Sequence, residues 1–352
     1  MYWLIAVIIS SFSVCLSKFE KISGFLSFIC LGISMGIPNY ATNGDAVVYA
    51  NNYMLQTHEF EAGYNFISDF FGNYYDYATF RLITSILFCF ILYLGVSCIT
   101  KKVSLFSLLY CICAFPYDTL QVRSEMALSM IIFGCFFLFK YQRKGIIPST
   151  IIIYIASLFH SLALIFLIIP ILYIFVEFII EKRKLIFFIL SLVAIFLKMV
   201  GTTKIGNIVT QLVYQYSTRD DAGKNTSLIY NSGTDWVIWI VVFCFSILLA
   251  YYTVNQKYIG LDSNIKRMYK VLVLAILVWM IGLNLFSISV DYIRILRIVT
   301  LIFFLFTCYS LQFLKEKKRI IIYDLFLALI LFVVQMKLYG LNLSDIFSNI
   351  NL

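Results

Sequence analysis

Long apolar runs are the feature of this sequence that most limits what it can fold into. A helix needs about 20 apolar residues to cross the hydrocarbon of a bilayer, where every backbone amide must be bonded within its own segment. Twelve stretches meet or approach this length: residues 2–17, 22–37, 80–99, 103–117, 124–140, 146–159, 161–180, 185–200, 235–254, 271–288, 293–313 and 320–338. The sequence therefore predicts an all-α, polytopic integral membrane helical bundle of about 10 to 12 transmembrane helices, with residues 1–352 forming one domain.

The composition excludes a soluble enzyme. Hydrophobic residues make up 62% of the chain and charged residues only 13%, which is more apolar surface than one soluble core could bury. The nine cysteines lie almost entirely inside the apolar runs, so we expect them to pack as small hydrophobic residues and predict no disulfide, no metal and no cofactor.

Lysine and arginine collect in every second connection between the predicted helices. These basic clusters are Lys18 and Lys21, Lys101 and Lys102, Lys140 to Lys144, Lys182 to Lys184, Lys257 to Lys270, and Lys315 to Arg319. Because cytoplasmic connections are enriched in these residues, the pattern predicts that both chain termini lie outside. The formal net charge of +9 is then a topology signal, and we expect no nucleic-acid partner.

The opposite connections form the predicted outer face. This face includes two long loops, 38–79 and 201–234, and the second loop contains a short interfacial helix over 208–216. The apolar N-terminal run resembles a signal peptide, but its lysines, Lys18 and Lys21, follow the run and do not precede it. We therefore expect a retained first helix.

Several arginines stand at the predicted outer ends of helices. Arg123 follows Asp118 closely, so it is either an interfacial arginine paired with that carboxylate or a cation that binds phosphate. Asp291, Arg294 and Arg297 are spaced at i, i+3 and i+6 and share roughly one helix face. A single aspartate neutralises only one of the two arginines, so an anionic ligand would balance the other.

His160 lies between two apolar runs at the predicted outer boundary, beside Ser161. It is either a packed histidine or a proton carrier and phosphate donor. In the first outer loop, Asp45 and Glu61 are ordinary loop residues when each is taken alone. Together with the arginines they outline one outer cavity that holds carboxylates, a base and cations, which suits the transfer of a group away from a phosphate leaving group.

A set of short motifs resembles the EpsG family of membrane polysaccharide polymerases, which are related in role to Wzy proteins. The motifs are Gly44-Asp45 with Tyr49, Glu61-Ala62-Gly63-Tyr64, Val122-Arg123 with Ala127, Phe159-His160-Ser161, and the late arginines Arg294 and Arg297. Their order and the polytopic frame resemble the family over residues 1–310. The sequence departs from the family pattern at Ala62, where proline is frequent, and at Ser124, where glutamine is frequent.

The resemblance implies a GT-C-like fold and a glycosyltransferase activity on the outer face of the bacterial cytoplasmic membrane. The enzyme would join undecaprenyl-diphosphate-linked oligosaccharide repeat units for capsule, exopolysaccharide or O-antigen. Its partners would be that lipid-linked donor, membrane lipid, and a chain-length regulator and a flippase of the same pathway. In agreement, the sequence has no P-loop or Rossmann fingerprint and no cytoplasmic loop long enough to form a nucleotide-binding domain.

The resemblance also implies roles for the motif residues. Arg123, with Arg294 or Arg297, would bind the diphosphate, and Asp45, Glu61 or His160 would accept the proton of the attacking hydroxyl. Substrate contacts would come from Gly44, Tyr49, Tyr64 and Ser161. Three alternatives share parts of this pattern: a flippase or other transporter, a membrane acyltransferase that modifies the glycan, and a ligase that transfers finished glycan.

Overall fold

The structure, a computed structural model, describes residues 1–200, 235–256, 262–314 and 317–344, together with residue 348. Regular structure in these ranges is helical, without a strand: α1 Tyr2–Leu16, α2 Glu20–Gly36, α3 Gly44–Leu55, α4 Ala62–Gly72, α5 Tyr77–Ile99, α6 Val103–Cys113, α7 Phe115–Asp118, α8 Val122–Tyr141, α9 Ile146–Ser157, α10 Ile168–Leu172, α11 Val176–Val200, α12 Trp236–Asn255, α13 Ser263–Phe286, α14 Ile293–Ser310 and α15 Lys317–Tyr339. Short 3-10 segments lie at Gln142–Gly145, Ser161–Leu167, Tyr173–Phe175 and Val290–Tyr292. The loop expected at 201–234, with its interfacial helix at 208–216, lies outside the described residues.

Within the described ranges, seven helical segments are long and apolar enough to cross a membrane, so the chain is a polytopic membrane protein. Each of the twelve predicted spans coincides with helical structure, yet the count of long segments is smaller for a physical reason. The chain keeps helical structure through 142–145 and 181–184, so two pairs of predicted spans join into the segments Val122–Ser157 and Ser161–Val200, of which the first reverses direction at 142–145. Three further helices, α1, α2 and α6, are shorter, with 15, 17 and 11 residues.

The first merged segment is a hairpin. Helix α9 folds back along α8, so that the Gly134 backbone faces Ile153. The 3-10 turn between them ends at Gly145, where any Cβ would collide with the carbonyl group of Phe137. Glycine is therefore required for this tight reversal.

Buried hydroxyl groups join the N-terminal helices to the rest of the bundle. Ser10 of α1 donates to Ser27 of α2 over 3.0 Å, and Ser27 lies 2.7 Å from the hydroxyl of Ser107 in α6. Small residues with hydroxyl groups let helices approach closely, and their hydroxyls satisfy each other's hydrogen-bonding capacity in lipid. Helix α1 is thus an integral part of the bundle.

The two ends of the bundle differ in charge. At one end, Lys102 pairs with Glu20 at 2.7 Å and Lys270 pairs with Glu177 at 2.5 Å, while Arg183 donates to the Val254 carbonyl over 3.0 Å. The connections with the predicted cytoplasmic clusters therefore share this end, which we call the basic end. The opposite end, which we call the pocket end, carries α3, α4 and the starts of α5, α8 and α14.

Candidate active site

A polar cavity of about 200 Å³ opens at the pocket end. Its lining combines five predicted site residues with five other residues: Asp45, Tyr49, Arg123, His160 and Arg294, and Val48, Glu59, Phe60, Gln121 and Ser124. These residues come from five separate parts of the sequence. The fold therefore brings half of the ten predicted site residues to one cavity.

Three helices begin at this cavity. Asp45 lies in the first turn of α3, Arg123 lies in the first turn of α8, and Arg294 lies in the first turn of α14. The N-terminus of a helix carries the positive end of its dipole and backbone N–H groups that lack helical partners. Two guanidinium groups and helix N-termini thus line the cavity together with two carboxylates, Asp45 and Glu59, so the cavity combines groups that can bind an anion with groups that can accept a proton.

The start of α3 is fixed by contacts to the chain just before α8. Asn43 caps α3 by accepting the Ala46 N–H over 2.9 Å, and it donates to the Thr119 carbonyl over 3.2 Å. The buried side chain of Arg81 donates to the same carbonyl over 2.9 Å and to the Met35 carbonyl over 3.1 Å. These bonds hold Gly44 and Asp45 beside the start of α8.

Arg123 is held on several sides. Its guanidinium forms an ion pair with Glu61, its Cζ lies 4.0 Å from the centre of the Phe60 ring, and its Nε lies 3.5 Å from the Tyr49 hydroxyl. The cation–π contact and the ion pair fix both the position and the plane of the guanidinium. The partner of Arg123 is therefore Glu61, and not Asp118, the partner suggested by sequence proximity.

Glu61 connects three segments. One carboxylate oxygen pairs with Arg123, and the other accepts the backbone N–H of Ser161 over 3.1 Å. Two residues later, the Gly63 N–H donates to the Leu158 carbonyl over 2.8 Å. Glu61 thus links the start of α4 to α8 and to the segment after α9, and Ser161 contributes its backbone to this link.

An aromatic cluster supports the cavity wall. The Tyr49 and Phe60 ring centres are 5.1 Å apart, and the Tyr64 ring lies 5.9 Å from Tyr49 and 5.8 Å from Phe80. Tyr64 is only 2% exposed. The predicted substrate contact at Tyr64 therefore lies behind the wall, whereas Tyr49 lies on it.

His160 and Arg294 lie next to each other in the wall of the cavity. The His160 Nδ1 accepts the Leu162 N–H over 3.2 Å, and its Nε2 lies 3.1 Å from Nη1 of Arg294. Arg294 also pairs with Asp291 at 3.3 Å, while its buried Nε has no hydrogen-bond partner among the described residues. Both ring nitrogens of His160 thus meet N–H groups.

Asp45 is the least engaged carboxylate of the predicted set. No hydrogen bond or ion pair to its side chain occurs within the described ranges, and it is exposed at the cavity. Desolvation raises the pKa of the Asp45 carboxyl above its ordinary value, although Arg294 and Arg123 lower it. The balance leaves a carboxylate that is more basic than a typical surface aspartate.

Arg297 lies elsewhere. It pairs with Asp118 at 3.2 Å, with both side chains only 1% exposed, and also donates to Gln121 over 3.2 Å and to Gln335 over 3.3 Å. The structure therefore places Arg297 in the core beneath the cavity, and Arg294 is the late arginine that reaches the cavity.

Five lining residues are absent from the predicted site set: Val48, Glu59, Phe60, Gln121 and Ser124. Phe60 and Glu59 immediately precede the Glu61 motif, and Gln121 and Ser124 flank Arg123, so proximity to these motifs was the available signal. The buried Ser124 hydroxyl has no hydrogen-bond partner among the described residues. Among all the residues that the structure describes, no group of three His, Cys, Asp or Glu side chains could hold a metal ion.

The fold and the cavity define a class: a polytopic helical membrane protein with a polar pocket of arginines and carboxylates at one end of the bundle. The chain belongs to the EpsG family, whose model matches residues 21–348. At the level of the family, this membership supports a Wzy-like membrane polysaccharide polymerase. The comparison with curated proteins gave no match, and the comparison with solved structures also gave none.

Proposed function

We propose that the protein joins undecaprenyl-diphosphate-linked oligosaccharide repeat units into a polysaccharide. The observation that supports this most strongly is the meeting of two arginines, helix N-termini and two carboxylates, Asp45 and Glu59, that have no partner among the described residues. Such a cavity suits a reaction in which negative charge develops on a leaving diphosphate while a hydroxyl loses its proton.

The diphosphate is bound by Arg123 and Arg294. The guanidinium groups and the N-terminus of α8 stabilise the charge that develops as the bond between the sugar anomeric carbon and the diphosphate oxygen breaks. A hydroxyl of the acceptor glycan forms the new bond to that carbon. Its proton passes to a base of the enzyme, and undecaprenyl diphosphate leaves.

The base in this proposal is Asp45. Both oxygens of Glu61 are already engaged, by Arg123 and by the Ser161 N–H, so Glu61 acts as a positioning residue. The Asp45 carboxylate has no such partner and lies on the cavity. Its raised pKa makes it a stronger proton acceptor than an ordinary aspartate.

In this proposal His160 binds the phosphate and does not act as the general base. Because its Nδ1 accepts the Leu162 N–H, the proton of the neutral ring lies on Nε2, which faces an N–H group of Arg294. Both side chains line the cavity, where a phosphate oxygen can accept hydrogen bonds from both, so His160 and Arg294 form one subsite for the diphosphate.

The orientation is part of the proposal. The pocket end faces the outside of the cytoplasmic membrane, because the lysine-rich connections share the opposite end. A flippase would deliver the lipid-linked donor to the outer leaflet, and a chain-length regulator would act on the product. The product is capsule, exopolysaccharide or O-antigen.

The experiment is carried out in cells that lack the protein and are restored with wild type, Arg123→Ala or Arg123→Lys. We expect wild type to restore long surface glycan, and both variants to leave single repeat units on outward-facing lipid. The lysine variant keeps the charge but loses the planar guanidinium that pairs with Glu61 and stacks on Phe60. Arg143→Ala, an exposed arginine at the basic end, is the matched control and should restore the chains.

Other outcomes would contradict the proposal in recognisable ways. Repeat units trapped on the inner leaflet would identify a flippase. Chains of normal length that lack acyl groups would identify an acyltransferase. Normal polymer that is not attached to its acceptor would identify a ligase.

A further inference from the structure

A wide groove opens at the basic end, opposite the candidate active site. Its volume is about 1090 Å³. It lies between the turn that joins α1 to α2, the connection from α5 to α6, and the C-terminal ends of α8 and α14. No part of the proposed reaction uses it.

The groove carries excess positive charge. Three lysines and one glutamate line it, and the glutamate, Glu20, is already paired with Lys102 at 2.7 Å. Lys21 and Lys101 are both exposed and have no ion pair among the described residues. Two lysines therefore remain available for an anion that enters the groove.

Two helix N-termini add to this charge. Helices α2 and α6 both begin at the groove, at Glu20 and Val103, and neither has a side-chain cap. Their first backbone N–H groups lack helical partners, so they favour an anion at the same place as the lysines.

The rim of the groove is apolar. Phe19 is 71% exposed, Ile22 is 62% exposed and Phe313 is 49% exposed, and all three line the groove. Phe19 also has a left-handed backbone with φ of 56°, which is an uncommon conformation for a bulky residue and costs free energy. The turn thus holds a large apolar side chain outward beside the lysines.

We infer that this groove binds one anionic phospholipid. The headgroup phosphate lies against Lys21 and Lys101, and an acyl chain runs along Phe19, Ile22 and Phe313. A general bias of lysine towards one membrane face accounts for the charge at this end, but it does not account for a large cavity with an apolar rim. The ligand that matches both features carries a phosphate and a hydrocarbon chain.

The test uses the full chain, purified in detergent and titrated with lipid under native mass spectrometry. Phosphatidylglycerol should bind at least tenfold more tightly than phosphatidylcholine with the same acyl chains. The double variant Lys21→Ala/Lys101→Ala should lose about 25-fold in affinity for phosphatidylglycerol, from the typical contribution of two lysines near a lipid phosphate. Lys182→Ala/Lys184→Ala removes the same charge from the same end but outside the groove, and should leave the affinity unchanged.

Three results would overturn the inference: equal binding of the two lipids, an equal loss in the control variant, or full displacement of phosphatidylglycerol by inorganic phosphate. If the double alanine variant does not accumulate in cells, two other measurements test the inference. They are the preference of the wild type for phosphatidylglycerol over phosphatidylcholine and the affinity of the double variant Lys21→Arg/Lys101→Arg. The arginine variant keeps the charge and should bind phosphatidylglycerol as wild type does.

Discussion

At the scale of single residues, the site separates groups that already have partners from carboxylates, Asp45 and Glu59, that have none among the described residues. Glu61, His160 and Arg123 each have hydrogen-bond or ion-pair partners in the protein. Asp45 has none within the described ranges, although it lines the same cavity. Chemical roles can therefore be tested one side chain at a time.

The first prediction concerns Asp45. Asp45→Asn should lower the polymerisation rate by about 10²- to 10⁴-fold, the usual contribution of a general base. The wild-type rate should fall on the acid side at a pH above the ordinary aspartate pKa, because desolvation raises the pKa of Asp45. Arg294→Gln removes a charge that lowers this pKa, so the acid limb of its residual activity should move to higher pH.

The measurement is the pH profile of kcat/KM with purified protein and a lipid-linked donor. Asp69→Asn, at an exposed carboxylate of the pocket end that contacts His58, is the control and should behave as wild type. Full activity of Asp45→Asn would return the choice of base to Glu59, Glu61 or His160.

The second prediction concerns His160. Glutamine can place an N–H donor near the position of Nε2, whereas asparagine can replace only the Nδ1 acceptor that receives the Leu162 N–H. His160→Gln should therefore retain most of the activity, and His160→Asn should lose about 10- to 100-fold, the range for one hydrogen bond to a charged group. Equal inactivation of both variants, with loss of one limb of the pH profile, would identify His160 as the base.

The third prediction concerns Arg297. Arg297→Gln leaves the Asp118 carboxylate buried without its cation, which should cost about 3–5 kcal/mol of stability. Asp118→Asn/Arg297→Gln removes both charges and should recover most of that loss. Thermal unfolding of the purified variants measures the effect, and a stable, inactive double variant would show that Arg297 has a role beyond this ion pair.

At the scale of elements, the position of α4 depends on one close contact. The Gly63 backbone lies against Leu158, so that a Cβ at position 63 would lie 2.8 Å from the Leu158 Cβ and 2.8 Å from its carbonyl oxygen. Glu61 immediately precedes this helix. The approach of α4 therefore sets where the partner of Arg123 stands.

The fourth prediction follows from this contact. Gly63→Ala should displace the start of α4 and lower activity by tenfold or more, because small errors in the position of an active-site group are costly. Gly72→Ala, at the exposed end of the same helix, has only ordinary contacts and should keep full activity. Comparing the glycan length of both variants at equal protein levels tests the claim, and a fully active Gly63→Ala would show that α4 tolerates the shift.

Elements also show where sequence reasoning succeeds and fails. The predicted spans match helical segments because apolar length is a local property of the chain. The partner of Arg297, by contrast, is Asp118, which lies far away in the sequence, and no local pattern indicates this pair. The role of Arg81 was missed although an arginine inside an apolar run is costly in lipid, and that cost was the available signal.

At the scale of the whole molecule, the two ends have different chemistry. The pocket end gathers helix N-termini, arginines and aromatic rings, whereas the basic end gathers lysines and the wide groove. Sequence reasoning anticipated this division, because the excess of lysine and arginine in alternate connections can be seen in the sequence without knowing how the helices pack. It could not anticipate that 142–145 and 181–184 remain helical, since that depends on contacts such as those of Gly145.

The fifth prediction concerns orientation. In a variant whose native cysteines are replaced by serine or alanine, Asn73→Cys at the pocket end should react with a membrane-impermeant maleimide added to intact cells. Lys184→Cys at the basic end should react only after the cells are opened. The reverse pattern would place the candidate active site on the cytoplasmic face.

The link that Glu61 makes between α4, α8 and the Ser161 backbone has a consequence for sequence divergence. A change at position 61 removes both the partner of Arg123 and the acceptor of the Ser161 N–H, so we expect neither residue 61 nor residue 123 to change alone. Within the family, residues 61 and 123 should therefore change together or not at all.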